Sequence, residues 1–471
     1  MDSPGRSVVA AYEDGVGLSP GAVELGPVVD GGEPWLAATL PALDLAAGAV
    51  QALRRAAGRA GATGAVVEDP LDLALVAAAY SSDTVLRLDG HEVMAFAPLS
   101  GFFHAVDGWV RTHANYPHHE HRLLSALKLD GVQRQYAGLT GELRGVGPEE
   151  LASTLRELTA QEIEDLVQRA RGLAVRLRTE DEWRASPQGI AAAEGPLVRI
   201  RERGEPVTNR WGWRPGDVPE AGLPLAGLRV LDMTRVIAGP VATRALALLG
   251  ATVLRIDPPV PAEIRWQHLD TGQGKRTALL DLHDEGDRAR AQLLFDEADV
   301  LVTGYRPGAI EAFGLELQEN VVHARISAWG ESGPWAGRRG FDSIVQAATG
   351  ISIIESLGGE ARERSMPGAL PAQVLDHATG YLLAAGIVDA LVRRDQDELG
   401  RDVVTSLART ATWLLDAPGR DPQHPPAAAF PRRVAVSHGR HPEVTTARPP
   451  LPGFDDYPFP AAAWGTNHAH W

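Results

Sequence analysis

With 471 residues, 44% hydrophobic and 23% charged, the chain is too long for one ordinary core and too apolar for disorder throughout; about two to four domains are expected. The absence of cysteine excludes disulfides, thiolate metal sites and cysteine nucleophiles. A formal net charge of -16 argues against nucleic-acid partners, and a phosphorylated ligand would need a locally basic pocket. The start, MDSPGRSVVAAYEDG, has no basic segment followed by an apolar one, and no later run approaches the roughly 18 apolar residues of a membrane span. A cytoplasmic chain without a membrane partner is expected.

In chain order, the first feature is LAAGAVQALRR (Leu45 to Arg55), which closely matches LAAGIVDALVR (Leu383 to Arg393). Each copy is followed, after a Gly, by a Val-Val pair and another helical run. A degenerate duplication and the chance similarity of two alanine-rich helices both fit. His113, His118, His119 and His121 crowd together, but no acid-and-histidine spacing of a metal motif accompanies them, so no metal is expected. Residues 203–222 are dense in Gly, Pro and charge without periodicity, as a linker should be.

After the linker, LRVLDM (Leu228 to Met233) reads as a strand. AGPVATRALALLG follows as a helix with Pro240 near its start and Gly250 past its end. ATVLRID, TALLDL, DVLVTG and VVHARIS are further β-rich runs, with helical patterns such as RARAQLLFDEA between several of them. Strands alternating with helices predict an α/β fold with a parallel, doubly wound sheet. Beyond about Pro418 the chain is rich in Pro, His and Ala and shows no period; it is expected to wrap the surface in extended form or to lack order in part.

The turn after Met233 suits a phosphate, because helix N-termini present free N-H groups and a positive dipole. No GxGxxG is present, and Ala238, Gly239 and Pro240 read equally as a tight turn alone. Asp376 precedes a helix apolar nearly all round, a pattern that predicts burial. Locally, Asp376 reads as an N-cap, and its neighbour His377 reads as a cap or as a group tuning the carboxylate.

The stretch LPLAGLRVLDMTRVIAGPVATRALALLGATVLRID closely resembles the opening of the class III CoA-transferases, the CaiB/BaiF family. The resemblance continues through GKRTALLDL, YRPGAIEAFGL, ISAWGESGPWAGRRGFDSIVQAATG and LPAQVLDHATGYLLAAGIVDALVRR, and covers roughly residues 223 to 410. Upstream, VDGWVRTHANYPHHEHRLLSAL and RTEDEWRASPQG resemble the family's smaller domain, which usually follows the large one. The resemblance thus implies a partial copy of the large domain's end over 1–100, a small α/β domain over 101–202, a Rossmann-like large domain over 223–417 and a Pro-rich tail over 418–471.

It further implies a CoA-transferase with Asp376 as catalytic nucleophile and a CoA site lined by Val236, Ile237, Ala238 and Gly239, with Lys275, Arg276 and Arg306 nearby. Acyl-CoA and a carboxylic acid are the implied substrates, with no tightly bound cofactor and a homodimeric assembly. A carboxylate can attack a thioester to give a mixed anhydride, which the released CoA thiolate converts to an aspartyl-CoA thioester. Ile237, Ala312 and Trp329 stand where relatives can have glutamine, arginine and lysine. Two rivals stay open: a CoA-ester racemase, although Phe341 stands where those enzymes carry a histidine base, and a non-catalytic acyl-CoA-binding subunit.

Overall fold

In the computed structural model, described over residues 5–19, 21, 23–129, 135–137, 142–144, 146–205, 213–216, 223–305, 308–356, 366–439 and 443–471, the chain packs into two compact units. Each is discontinuous in sequence. One comprises residues 1–93, 193–331 and 371–471, the other 94–192 and 332–370. Most of the expected linker, 206–212 and 217–222, lies outside the described residues, as does Arg306.

The larger unit starts with helices α1 (Arg6–Gly15), α2 (Ala42–Arg59) and α3 (Leu73–Tyr80). Strand β1 (Arg199–Arg203) leads to β2 (Arg229–Met233), α4 (Ala238–Leu248), β3 (Thr252–Asp257), α5 (Arg265–Thr271), β4 (Lys275–Leu279), α6 (Glu285–Glu297), β5 (Val300–Thr303) and β6 (Val322–Ser327). Helix α7 (Val374–Asp397), β7 (Gly400–Ser406), α8 (Leu407–Asp416), β8 (Ala435–His438) and β9 (Val444–Ala447) complete it. The expected strands after Leu228 all form.

Seven strands make one sheet in the order β1-β7-β6-β5-β2-β3-β4, parallel throughout except for β1 at the edge. Its central strands are buried along most of their length, as expected where both faces of a parallel sheet are covered. Side chains alternate along β2: Leu231 and Met233 enter the core that contains Leu294 and Phe295 of α6, while Asp232 bonds Thr243 of α4 on the other face. At the β4 edge the C-terminal segment takes the place of a further strand. Asn467 N-H donates to the Thr277 carbonyl at 2.8 Å and its side-chain oxygen accepts from Thr277 N-H at 2.9 Å, which blunts an edge otherwise open to pairing. The tail also supplies β8 and β9, which pair with each other and, through β9, with Arg87–Leu88.

Helix α7 is long and apolar enough to cross a membrane, yet its apolar window is wholly buried in the protein. It is the central core helix, and α1 and α2 pack against it. Tyr12 donates to Asp389 at 2.6 Å, Arg59 pairs with both Asp389 (2.7 Å) and Glu13 (3.0 Å), and Arg55 reaches Glu13 at 2.8 Å. The two similar segments, Leu45 to Arg55 and Leu383 to Arg393, therefore lie on helices that pack together.

The smaller unit holds a three-stranded antiparallel sheet of Phe102–Ala105, Gly108–Thr112 and Ala174–Arg176. Helices Pro117–Ala126 and Ala160–Arg169 cover it, with Leu123, Ile163, Val110 and Val167 in the core. Helix Asp342–Thr349 belongs to the same unit.

Candidate functional site

The turn from β2 to α4 is organised by one buried carboxylate. Asp232 accepts from Thr234 N-H at 3.0 Å and Thr234 Oγ1 at 2.5 Å with one oxygen, and from Thr243 Oγ1 at 2.5 Å and Lys275 Nζ at 3.0 Å with the other. Burial alone would raise its pKa, but Lys275, Arg255 and the two hydroxyl donors outweigh that and hold it below the usual carboxylate range. Within the turn, Val236 adopts φ 72. A β-branched residue in that region is strained, and such strain persists where surrounding structure over-determines it. Here Glu263 Oε2 accepts from Val236 N-H at 3.3 Å, and the same carboxylate is held by Arg255 at 2.9 Å and Arg235 at 3.4 Å.

Ile237 precedes α4 and Ala238 opens it, so the N-terminal N-H groups of α4 are presented at this turn. Gly239 is required there: a β-carbon would stand 2.4 Å from Thr234 Cβ. Gly380 meets the turn from α7, where a β-carbon would lie 2.5 Å from the Ala238 carbonyl oxygen. Asp376 lies one helical turn before Gly380, on the same face of α7.

Asp376 is 6% exposed and sits inside the first turn of α7. The N-cap position belongs to Gln373, which makes no side-chain cap. The structure thus replaces the local capping reading of Asp376 with a buried carboxylate next to the positive end of the helix. His377 is no cap either. Its ring lies 5.2 Å from that of Tyr80, and burial, with Arg244 nearby, drives its pKa down to about 3, so it is neutral near pH 7.

The basic residues divide. Lys275 is buried, its ammonium committed to Asp232 and to the Pro240 carbonyl at 2.7 Å. Burial lowers it to about 8 against the attraction of Asp232. It braces the turn from within. Arg276, next along β4, projects to the other face and donates to the His468 carbonyl at 3.3 Å. Ala312 is exposed and Trp329 is buried.

A buried polar network behind α7 had no motif to announce it. Arg244 of α4 donates to the Asp270 carbonyl at 2.7 Å and to Gln273 Oε1 at 3.1 Å, and lies 4.9 Å from the centre of the Tyr457 ring. Ser82 donates to Asp270 at 2.6 Å. The available signal was one arginine in the otherwise apolar ATRALALL.

In the smaller unit, His113 stacks on Phe341 with ring centres 4.0 Å apart and planes 5° apart, and His118 and His119 lie 4.1 Å apart. Burial lowers His113 to about 3 and His119 to about 2. Among the described residues, no group of three or more histidines and carboxylates is placed to hold a metal ion.

Residues 225–441 match the family model described as CoA-transferase family III. The chain is 32% identical over 235 residues to an acetyl-coenzyme A transferase of Hypoxylon pulicicidum, spanning 48% of this chain and 39% of that protein. It is 30% identical over 247 residues to a probable fatty acyl-CoA transferase of Mycobacterium tuberculosis, spanning 46% and 61%. A crystal structure of a hypothetical protein from Mycobacterium tuberculosis is 31% identical and aligns over 41% of this chain and 57% of that one, with a TM-score of 0.37. The chain spans about half the length of the curated relatives it matches. Over residues 225–441 the chain is thus similar to CoA-transferase family III.

Proposed function

We propose that the chain transfers CoA between an acyl-CoA thioester and a carboxylic acid, with Asp376 as the nucleophile. The observation that carries this reading is the burial of Asp376 in the first turn of α7, on the helix face that Gly380 packs against the α4 turn. The helix dipole favours the ionised, nucleophilic carboxylate. Attack on the thioester carbonyl breaks the carbon-sulfur bond and forms an aspartyl anhydride and CoA thiolate. The thiolate attacks the aspartyl carbonyl, releases the first acid and leaves an aspartyl-CoA thioester. The acceptor carboxylate and then the thiolate repeat the two steps in reverse, which returns Asp376 and delivers the new acyl-CoA.

Strand order supports a Rossmann-like reading of the large sheet. Counting from β2, the six parallel strands run 3-2-1-4-5-6, and ligands on such sheets bind beyond the strand C-termini where the order reverses. That reversal lies between β2 and β5. Val236, Ile237, Ala238 and Gly239 follow β2, and Arg306 comes three residues after the end of β5 in sequence. In this reading they receive CoA, Lys275 holds the turn in shape, and Arg276 contributes from the sheet edge. The enzyme would work as a cytoplasmic homodimer, and residues 1–100 would be a degenerate copy of the large domain's end.

The test is incubation with acetyl-, succinyl- and formyl-CoA against a panel of carboxylic acids. Mass spectrometry should find mixed acyl-CoA products and a hydroxylamine-sensitive adduct on the peptide containing Asp376. Exchange without any adduct on that peptide would refute the assignment.

A further inference from the structure

A cavity of about 520 Å³ opens in the larger unit between α5 and the C-terminal segment, within the size range of small-molecule sites. Neither Asp376 nor residues 236–239 line it. Its walls are largely apolar and include Leu269 and Trp464, with six polar side chains among them: Glu263, Arg265, His268, Gln273, His438 and Thr446.

Three of these are almost fully buried, at 3% exposure for His268 and 1% for Gln273 and Thr446. Each keeps a side-chain atom sealed from solvent without a hydrogen-bond partner: His268 Nδ1, Gln273 Nε2 and Thr446 Oγ1. Buried polar groups are rarely left so, and the cost of each is of order 1–3 kcal/mol. Their chemistry is defined by what holds their other ends. His268 Nε2 lies 2.9 Å from the Ala462 carbonyl and must carry the proton, while burial and Arg255 keep the ring neutral, so Nδ1 offers a lone pair. Gln273 Oε1 accepts from Arg244, which leaves the amide N-H₂ as a donor. Thr446 can do either. Arg265 is exposed and, among the described residues, has no ion-pair partner. The one carboxylate lining the cavity, Glu263, is neutralised by Arg235 and Arg255.

We propose that this cavity is a second ligand site, which binds an apolar monocarboxylic acid bearing a hydroxyl group. The hydroxyl donates to His268 Nδ1 and accepts from the Gln273 amide or Thr446. The apolar body lies along Leu269 and Trp464, and the carboxylate faces Arg265. This site goes beyond acyl transfer at Asp376 and does not depend on it.

Isothermal titration of the full chain, without CoA, tests it with 4-hydroxyphenylacetate, phenylacetate and 4-hydroxyphenylacetamide. The first should bind, and loss of either the hydroxyl or the charge should weaken binding about 3- to 10-fold, the size expected of one hydrogen bond. His268→Phe should erase the preference for the hydroxyl and keep that for the carboxylate; Arg265→Gln should do the opposite. Ala463→Trp, at an exposed lining position, should block all three ligands with the melting temperature unchanged. Absence of binding to the unmodified chain overturns the proposal, as does the same ligand ranking in every variant. Asp376→Asn should bind as the unmodified chain does, so failure of transfer chemistry and failure of this site are separately visible.

Discussion

Gly380 and Ala238 are in backbone contact: a β-carbon on Gly380 would stand 2.5 Å from the Ala238 carbonyl oxygen. The contact joins the helix that carries Asp376 to the turn proposed to receive CoA. Gly380→Ala should force the two helices apart, with a stability loss of about 1–3 kcal/mol typical of overpacking. Because a displacement of roughly 1 Å can cost on the order of 100-fold in rate, transfer should fall by more than the unfolded fraction explains. Urea unfolding alongside steady-state rates checks this, and normal transfer by the folded variant would detach the contact from catalysis.

Asp376→Asn keeps the shape of the side chain and removes its nucleophilic charge. Folding should persist, since the residue is not the N-cap, while transfer and the covalent adduct both disappear. Asp376→Glu keeps the charge with displaced oxygens and should retain a small residue of activity. Comparable rates in the Asn variant and the parent chain would remove Asp376 from the reaction.

Lys275→Met should destabilise the larger unit by about 3–5 kcal/mol, because it strands the buried Asp232 carboxylate without its cation. Lys275→Met combined with Asp232→Asn should regain much of that loss, since the remaining hydroxyl partners can bond a neutral amide. Urea midpoints for the single and double variants give the comparison. A mild effect of the single change would mean that Lys275 is not a brace, and would favour a direct role with the ligand.

Stability should fall on acidification from about pH 6.5 towards 3. His377 and His323 are lowered to about 3 by burial, with Arg244 beside the first and Arg325 and Arg203 beside the second. In that window the unfolded chain binds protons that the folded chain refuses. Unfolding is therefore favoured as pH drops, by up to about 1.4 kcal/mol per pH unit for each such histidine. His377→Phe should make the decline shallower by about one proton's worth. Urea unfolding at pH 7, 5.5 and 4.5 measures the slope, and an unchanged slope would contradict the neutral, buried assignment.

Local order was legible because it is written in neighbouring residues. The apolar runs from Leu228 to Ser327 alternate with helical patterns, and each of those strands formed. The helix after Asp376 is apolar on nearly every face, and it is the central core helix. The motifs around Val236 and Asp376 are contiguous, so the family resemblance could be read directly. Even the capping ambiguity at Asp376 was local, and one helix boundary resolved it.

What the sequence could not disclose depends on residues far apart in the chain. Lys275 reads as a cation beside the implied CoA site until folding sets it against Asp232, which lies 43 positions away. Arg244 reads as an interruption in an apolar helix until Asp270, Gln273 and Tyr457 close around it. The cavity beside α5 has one wall from residues 263–273 and another from 438–464, and the tail that builds the second wall has no periodicity of its own. Periodicity and motif spacing report which face of an element is apolar and which residues adjoin. Tertiary packing alone decides which charges meet, because burial makes each buried polar group take the partner that the fold brings to it.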